Sequence, residues 1–393
     1  MKILYVGSIF SSDSDFPLVK NLIERGHEVF YLIPLSKAFL RAGLFDVKKF
    51  IPRTGIYRGT DYEELKVYAK YIDLNRIFIV NLVDFRIRYI PTFLLWVKIF
   101  IWFFFKRVDV LHSSWPLEGM SKILYHLPCK KVIMVHDPFQ HSSAKNELFE
   151  KNRKIAFNKA DKLVLLSTPL LEKFCSYYDI PKNKILVNQM GEFDYMRVLE
   201  SSVPRPLGKY ILFFGYIAGY KGLEYLCQAM IEIHKRHPEL KLLIAGGGKI
   251  YFDFTPYQNL DYIELRNRYI PTEELAVLLK DCEFSVCPYK DATQSGVVQT
   301  AFSLATPMIV TNVGALPDSV VDGCYGKVVP PCDVDAIVES CCALYEQPRL
   351  LEEMRSNIRT EWRRNMSWTP IVDKYVEVYG ELMEKKDGNA FGE

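Results

Sequence analysis

Between two apolar runs, Phe284–Pro288 and Thr306–Thr311, lies the segment Ala292-Thr293-Gln294-Ser295-Gly296-Val297-Val298-Gln299-Thr300. Small polar residues and a glycine there open a helix. The amides of a helix's first turn, with the positive end of its dipole, attract anions. The chemistry this suits is the seating of a diphosphate by Gln294, Ser295, Gly296, Val297 and Val298, with Asp291 and Thr300 as flanking polar groups. A second candidate is Lys221-Gly222, which follows the run Tyr210–Phe214 and the turn Gly215-Tyr216. A lysine beside a helix N-terminus, at a strand's carboxyl end, can neutralise a leaving diphosphate. The third is His136-Asp137 with His141, just after the strand pattern Lys131–Val135. Ligands of open α/β sheets bind at that edge. A solvated surface lysine and a structural histidine are the plain alternatives for Lys221 and His136.

These residues need elements to hold them. Lys2–Val6 predicts a buried strand, Gly7 its exit, and Asp15-Phe16-Pro17 the cap and first turn of a helix running to Arg25. Asp13-Ser14-Asp15 spells an Asp-x-Asp metal motif, but its place before a helix predicts N-capping and no metal. Gly246-Gly247-Gly248 turns out of the strand pattern Lys241–Ala245. Short β-rich runs alternate with helical ones on both sides of Ser201–Gly208, where two prolines interrupt the pattern. That alternation predicts parallel sheets covered by helices, in two domains.

Pro288-Tyr289 with Gln294-Ser295-Gly296, then Thr306-Pro307 and Asn312-Val313-Gly314, resemble the donor-site block of family-four (group 1) retaining glycosyltransferases of the GT-B fold, of the bacterial polysaccharide-biosynthesis type. The resemblance reaches over nearly the whole chain and is densest over residues 208–330. It implies two doubly wound Rossmann-like domains, an acceptor-side one over residues 1–203 and a nucleotide-sugar-binding one over 204–366. A terminal helix over 367–384 would cross back onto the first. The implied reaction moves a sugar from a nucleoside diphosphate sugar to a saccharide or lipid-linked saccharide acceptor with retention. No cofactor is implied, the nucleotide sugar being a substrate. By the same resemblance His136 faces the donor sugar near the reacting carbon, Lys221 holds phosphate, Ile270 pairs with the base, and Gly7, Tyr216 and Gly246 line the donor site. The sequence departs from the family pattern twice. Tyr216 stands where an arginine is expected, an exchange worth roughly 1.5–3 kcal/mol of diphosphate binding. The family's pair of glutamates is missing in either register, with Thr300 and Ala292 or Ala301 and Thr293 in their places. Two other readings share the fold: a nucleotide-sugar epimerase, which needs carboxylate acid/base residues, and a catalytically silent binding subunit.

Length and composition fit that class. A chain of 393 residues holds two or three ordinary domains, and 49% hydrophobic with 25% charged residues is a globular composition. Nine cysteines, odd in number and in no zinc spacing, predict reduced thiols. The apolar opening Met1–Val6 is too short for a signal peptide, so the expected location is cytoplasmic. Residues 1–200 carry 30 Lys and Arg against 21 Asp and Glu, and the remainder 20 against 26. The basic half suits an anionic partner, and no nucleic-acid motif accompanies it. Within it, Ile90–Phe105 is apolar except for Pro91, Thr92 and Lys98 and ends at Lys106-Arg107. As a helix it is about 24 Å long, short of the roughly 30 Å core of a bilayer. It predicts either a sheet-covering core helix or one that docks the first domain peripherally on the inner face of an anionic membrane.

Overall fold

Runs rich in Ile, Leu, Val and Phe, each broken by Gly, Pro or Asp, build the two sheets of this chain. The computed structural model describes residues 1–42, 44–136, 138–139, 147–166, 168–199, 208–292 and 296–388. The chain divides into two compact units, residues 1–191 with the segment from Met366 onward, and residues 192–365. Both are α/β, with parallel sheets and helices between the strands.

In the first unit the strands are β1 (Lys2–Val6), β2 (Glu28–Ser36), a small hairpin of β3 (Arg41–Ala42) and β4 (Phe45–Asp46), β5 (Gly55–Arg58), β6 (Ile77–Leu82), β7 (Val110–Ser113), β8 (Lys130–Val135), β9 (Lys162–Leu165) and β10 (Ile185–Val187). Eight of them form one sheet in the order β10-β9-β8-β7-β1-β2-β6-β5. All pairs are parallel except β5 with β6. The middle strands are buried on both faces, which is why they read as continuous apolar runs rather than alternating ones. Helices α1 (Ser12–Glu24), α2 (Ile90–Lys106), α3 (Glu147–Lys159) and α4 (Leu171–Tyr178) complete the unit together with the terminal helix Trp368–Gly388.

The start of α1 differs from the sequence expectation. Ser8 caps a preceding 3-10 turn by accepting from the amide of Phe10, and the helix runs on from Ser12, so Asp15 lies one turn inside it. Its side chain is fully buried against β1 and β7 instead of capping anything. It accepts from the Tyr5 hydroxyl at 2.6 Å, Ser11 Oγ at 2.8 Å and Ser114 Oγ at 3.1 Å. Burial pushes the carboxyl up to about 7, even though these hydroxyl donors pull the other way. Nearby, burial pushes His112 down to about 3, and its Nδ1 is hydrogen-bonded with the Tyr379 hydroxyl of the terminal helix. That helix is further tied down by Arg25, which pairs with Asp373 at 2.8 Å and donates to the Thr369 carbonyl, and by Asn188, which donates to the Ile371 carbonyl at 3.1 Å.

The second unit has a sheet of β11 (Lys209–Phe214), β12 (Leu240–Ala245), β13 (Ile263–Arg266), β14 (Ser285–Cys287), β15 (Met308–Thr311) and β16 (Gly326–Val329), all parallel, in the order β13-β12-β11-β14-β15-β16. Helices α5 (Leu223–Arg236), α6 (Thr272–Asp281), α7 (Gly296–Ser303), α8 (Leu316–Ser319), α9 (Val334–Tyr345) and α10 (Pro348–Asn357) connect and follow the strands. The order reverses direction between β11 and β14. At such a switch point the outgoing loops diverge and leave a crevice at the carboxyl ends.

Asp15 gives a pH prediction. A folded-state value near 7 against an unfolded one near 3.8 means the folded chain holds this proton more tightly. The group's contribution to stability is therefore full below about pH 4, falls through the window from 4 to 7 by up to about 1.4 kcal/mol per unit, and is level above it. His112, lowered by burial, has the opposite sign, but it cancels in a comparison of variants. Urea unfolding of wild type and Asp15→Asn at pH 4.5 and 7.5 should show the variant gaining on wild type by a few kcal/mol at the higher pH. A difference that does not change with pH would sink the assignment.

Candidate functional site

At the switch point of the second unit, β11 ends at Gly215, whose φ of 102° an L side chain rarely adopts. A Cβ built there would lie 3.6 Å from Nζ of Lys221 and 3.9 Å from Cγ2 of Val297. The strand exit, the lysine and the first turn of α7 thus converge on one spot. Lys221 reaches it from a 3-10 turn, Gly219–Lys221, closed by its own amide donating to the Ala218 carbonyl at 3.0 Å. The following Gly222 abuts the β14 exit so closely that a Cβ would stand 2.0 Å from the Pro288 carbonyl oxygen. The Lys221 side chain is buried. Its Nζ donates to the Tyr289 hydroxyl and lies 4.4 Å from that ring's centroid. Burial lowers its pKa, with the Cys287 thiol working against the shift. Tyr289 is itself anchored, its carbonyl accepting from Thr311 Oγ1 at 2.6 Å.

The glycine turn after β12 packs on the same edge. A Cβ on Gly246 would fall 1.8 Å from the Gly215 carbonyl oxygen, so this position admits no side chain. Ile217 donates to the Gly247 carbonyl at 3.0 Å, and the Gly248 amide donates to Oδ1 of Asn267 at 3.0 Å. These bonds bring the loop that leads to Ile270 beside the turn. A pair of arginines then fixes that loop. Arg266 and Arg268 both bind the buried carboxylate of Glu274 in the first turn of α6, at 3.1 and 2.6 Å. The sequence reading missed this clamp, although Arg-x-Arg followed six residues later by a helix-opening glutamate was a visible signal.

Among the other expected donor residues, Gly296 opens α7 with nothing within 4 Å of where its Cβ would be. Tyr216 and Asp291 are exposed. Val298 turns its side chain into the core, leaving only its backbone for a ligand. Thr300 spends its hydroxyl on the Gly296 carbonyl at 2.7 Å. Gln294 and Ser295 lie outside the described residues, as do Asp137 and His141.

Gly7 and His136 belong to the first unit. Gly7 leaves β1 at that sheet's own switch point between β1 and β7, and a Cβ there would meet Oδ2 of Asp15 at 2.5 Å. It lines a cavity of about 640 Å³, walled mainly by apolar side chains such as Leu35, Leu82, Trp96, Trp115 and Met120. His136 follows β8 and stacks on Trp115, with ring centroids 5.4 Å apart and planes 16° from parallel. Burial pushes it down to about 4, so the imidazole is neutral at physiological pH. Its Nε2 and the neighbouring indole Nε1 of Trp115 are both buried without a hydrogen-bond partner among the described residues. Buried polar atoms are normally paired, so such orphans mark places where a ligand can bond.

Two family models match the chain. Residues 17–191 match Glycosyltransferase Family 4, and residues 208–347 match Glycosyl transferases group 1. An uncharacterized glycosyltransferase of Methanocaldococcus jannaschii is 28% identical over 240 residues, 56% of this chain and 60% of its own length. A second from the same organism is matched over 48% of its length, so the chain spans about half of each of these relatives. A D-inositol 3-phosphate glycosyltransferase of Corynebacterium efficiens is 25% identical over 70% of this chain and 71% of its own. Among solved structures, sucrose-phosphate synthase from Thermosynechococcus elongatus superimposes with a TM-score of 0.66 at 15% identity, covering 98% of this chain and 100% of that one. Anabaena HepE in complex with UDP and glucose gives 0.64 at 12% identity, covering 97% and 100%. At these identities the two structures establish the fold, which is GT-B.

The contact between Gly246 and Gly215 is testable by itself. Gly246→Ala forces backbone apart at the sheet edge and should destabilise the second unit by about 1–3 kcal/mol. Chemical unfolding followed by a probe in that unit measures it. A loss below about 0.5 kcal/mol would mean the turn has room to move.

Proposed function

The chain belongs to the group 1 glycosyltransferases of family four, and from that premise we propose that it transfers a hexose-type sugar from a nucleoside diphosphate sugar to a saccharide or lipid-linked saccharide acceptor, with retention at the sugar carbon. The observation that carries the reading is the convergence of Gly215, buried Lys221 and the first turn of α7 at the switch point of the second sheet. A single buried ammonium beside a helix N-terminus is a preorganised seat for the charge that develops on a departing diphosphate. The base would lie along the loop leading to Ile270, beside the Gly246–Gly248 turn. HepE holds UDP and glucose, which favours a uridine or similar nucleotide here too.

The family pattern has two cations at the phosphates, and this chain has tyrosine at the second position. Neutralisation of the leaving group therefore falls on Lys221 and the α7 amides. Bringing the diphosphate in would draw Nζ from the Tyr289 hydroxyl toward phosphate oxygen and raise the lysine's lowered pKa, so the charged form is favoured when it is needed. His136, neutral and with an unpartnered Nε2, is suited to hydrogen-bonding a sugar hydroxyl rather than to pairing with phosphate. The apolar cavity of the first unit supports an acceptor with an apolar portion, as in surface polysaccharide or glycan biosynthesis. Exposed Tyr216 and the missing glutamate pair favour one second reading, a subunit that binds donor without turning it over.

Two measurements test these roles. A screen of nucleoside diphosphates and their sugars by thermal shift should find one that stabilises the protein, by about 2.7 kcal/mol at a hundred times its dissociation constant. Lys221→Ala should weaken that ligand roughly ten- to a hundredfold, the worth of one charged hydrogen bond. Equal affinity in the two proteins would remove Lys221 from the phosphate site.

His136→Ala should leave nucleotide affinity within about twofold while sugar transfer falls at least a hundredfold. If melting drops by many degrees instead, the histidine is a structural core residue. Donor binding by wild type with no turnover across an acceptor panel would decide for the silent subunit.

A further inference from the structure

Helix α2 has two apolar faces, and only one of them is covered. Trp96, Ile99 and Phe103 point inward and are buried among Leu4, Phe30 and Phe78 of the first core. Ile90, Phe93, Leu94, Ile101, Phe104 and Phe105 point outward, and each is 43–77% exposed. Their spacing of three, four and seven residues places them on one continuous stripe along the helix. The loop before α2 adds Phe85 and Ile87, at 53% and 62%. Eight of the eighteen exposed large hydrophobic side chains among the described residues thus fall between positions 85 and 105. A concentration of this kind on a folded surface marks a site that binds something.

The charges around the stripe say what. From Phe85 to Arg107 the chain carries Arg86, Arg88, Lys98, Lys106 and Arg107, and no Asp or Glu. Asp84, just outside, is held by Arg86. A symmetric contact between two copies through this stripe would bring cations against cations, which costs binding. An anionic lipid surface neutralises them while its acyl region accepts the aromatic and aliphatic groups. Spanning is excluded by the fold: α2 is 17 residues long with its inner face in the core, and no described helix is long and apolar enough to cross a membrane.

We propose that α2 lies flat in the interface of an anionic membrane, its outer face in the lipid and its flanking cations at the headgroups. The cavity of the first unit continues this surface. Phe85 belongs to both, Phe10 and Phe39 are exposed at the cavity wall, and among the described residues Glu118 is the only charged one lining it. Resting on the transferase reading above, this names the acceptor class as an amphiphile taken up from the membrane, its apolar part in that cavity.

Co-sedimentation of the full chain with vesicles tests the docking without needing any donor. Binding to vesicles of phosphatidylcholine with 30 mol% phosphatidylglycerol should exceed binding to pure phosphatidylcholine at least tenfold at low salt. It should fall at least tenfold in 1 M salt, where the Debye length is about 3 Å. Ile101→Glu with Phe105→Glu, both exposed and outside the core, should abolish binding with melting temperature unchanged, and Arg88→Gln with Lys98→Gln should weaken it severalfold. No binding at low salt, or equal binding to neutral vesicles, overturns the proposal. So does a concentration-dependent dimer that the Glu variant dissociates while vesicles bind neither protein, since the stripe is then a protein interface. Nucleotide stabilisation without vesicle binding would refute docking alone, and vesicle binding without any nucleotide ligand would refute the transferase reading alone.

Discussion

Backbone meeting backbone at the carboxyl edge of the second sheet is the constraint on which the site depends. Gly246 lies against the Gly215 carbonyl and Gly222 against the Pro288 carbonyl, each with no space for a methyl group. These two contacts bring the exits of β11, β12 and β14 together, and Lys221 is buried beside them. A surface lysine pairing with an anion gains about 0–1 kcal/mol, most of it lost to screening. Desolvation changes that balance. Burial lowers the ammonium's pKa and leaves it with a tyrosine hydroxyl and ring for company, contacts worth less than a full countercharge. A ligand with several anionic oxygens would restore what burial removed.

The first sheet has the same kind of switch point and uses it differently. Where the second unit presents a cation, the first places a buried carboxyl among the hydroxyls of Tyr5, Ser11 and Ser114. Burial drives Asp15 up and His112 down, which favours the neutral form of each. A neutral hydrogen-bonded network can anchor the terminal helix through Tyr379 without the desolvation cost of a buried ion pair. What remains open beside it is an apolar cavity lined by Trp115, on which His136 stacks. The two switch points thus differ in chemistry, with a buried ammonium at one and a neutral network beside an apolar cavity at the other.

Much of this was legible in the chain. Continuous apolar runs bounded by glycine gave the parallel strands, and the resemblance carried by Pro288-Tyr289, Gln294-Ser295-Gly296, Thr306-Pro307 and Asn312-Val313-Gly314 pointed to the fold. What stayed hidden was long-range. Asp15 looks like a helix cap because local rules see only the residues beside it, whereas one of its partners, Ser114, is 99 positions away. The clamp of Arg266 and Arg268 on Glu274 left a local trace in its Arg-x-Arg spacing, but the burial of Glu274 that makes it a clamp comes from the packing around α6. Helix α2 failed for another reason. When apolar residues occur all round a helix, periodicity has no direction to report, and nothing in the sequence says which face, Trp96 or Leu94, turns to the core. The fold buries the first at 2% and leaves the second at 58%.

The charge argument changes scale in the same way. An excess of cations over the first 200 residues suggested an anionic partner, but charges spread across a domain are screened beyond a Debye length of about 8–10 Å. A domain-wide sum therefore says little about any one surface. The local pattern decides more. Five cations and no anions over residues 85–107 border a stripe of exposed aromatic and aliphatic groups, so the Coulombic and hydrophobic attractions act on the same surface. Either alone would be weak: scattered apolar residues are ordinary on protein surfaces, and isolated lysines are ordinary too. Their coincidence on one helix, whose other face is fixed in the core and cannot turn to hide them, makes this face a binding surface rather than an accident of composition.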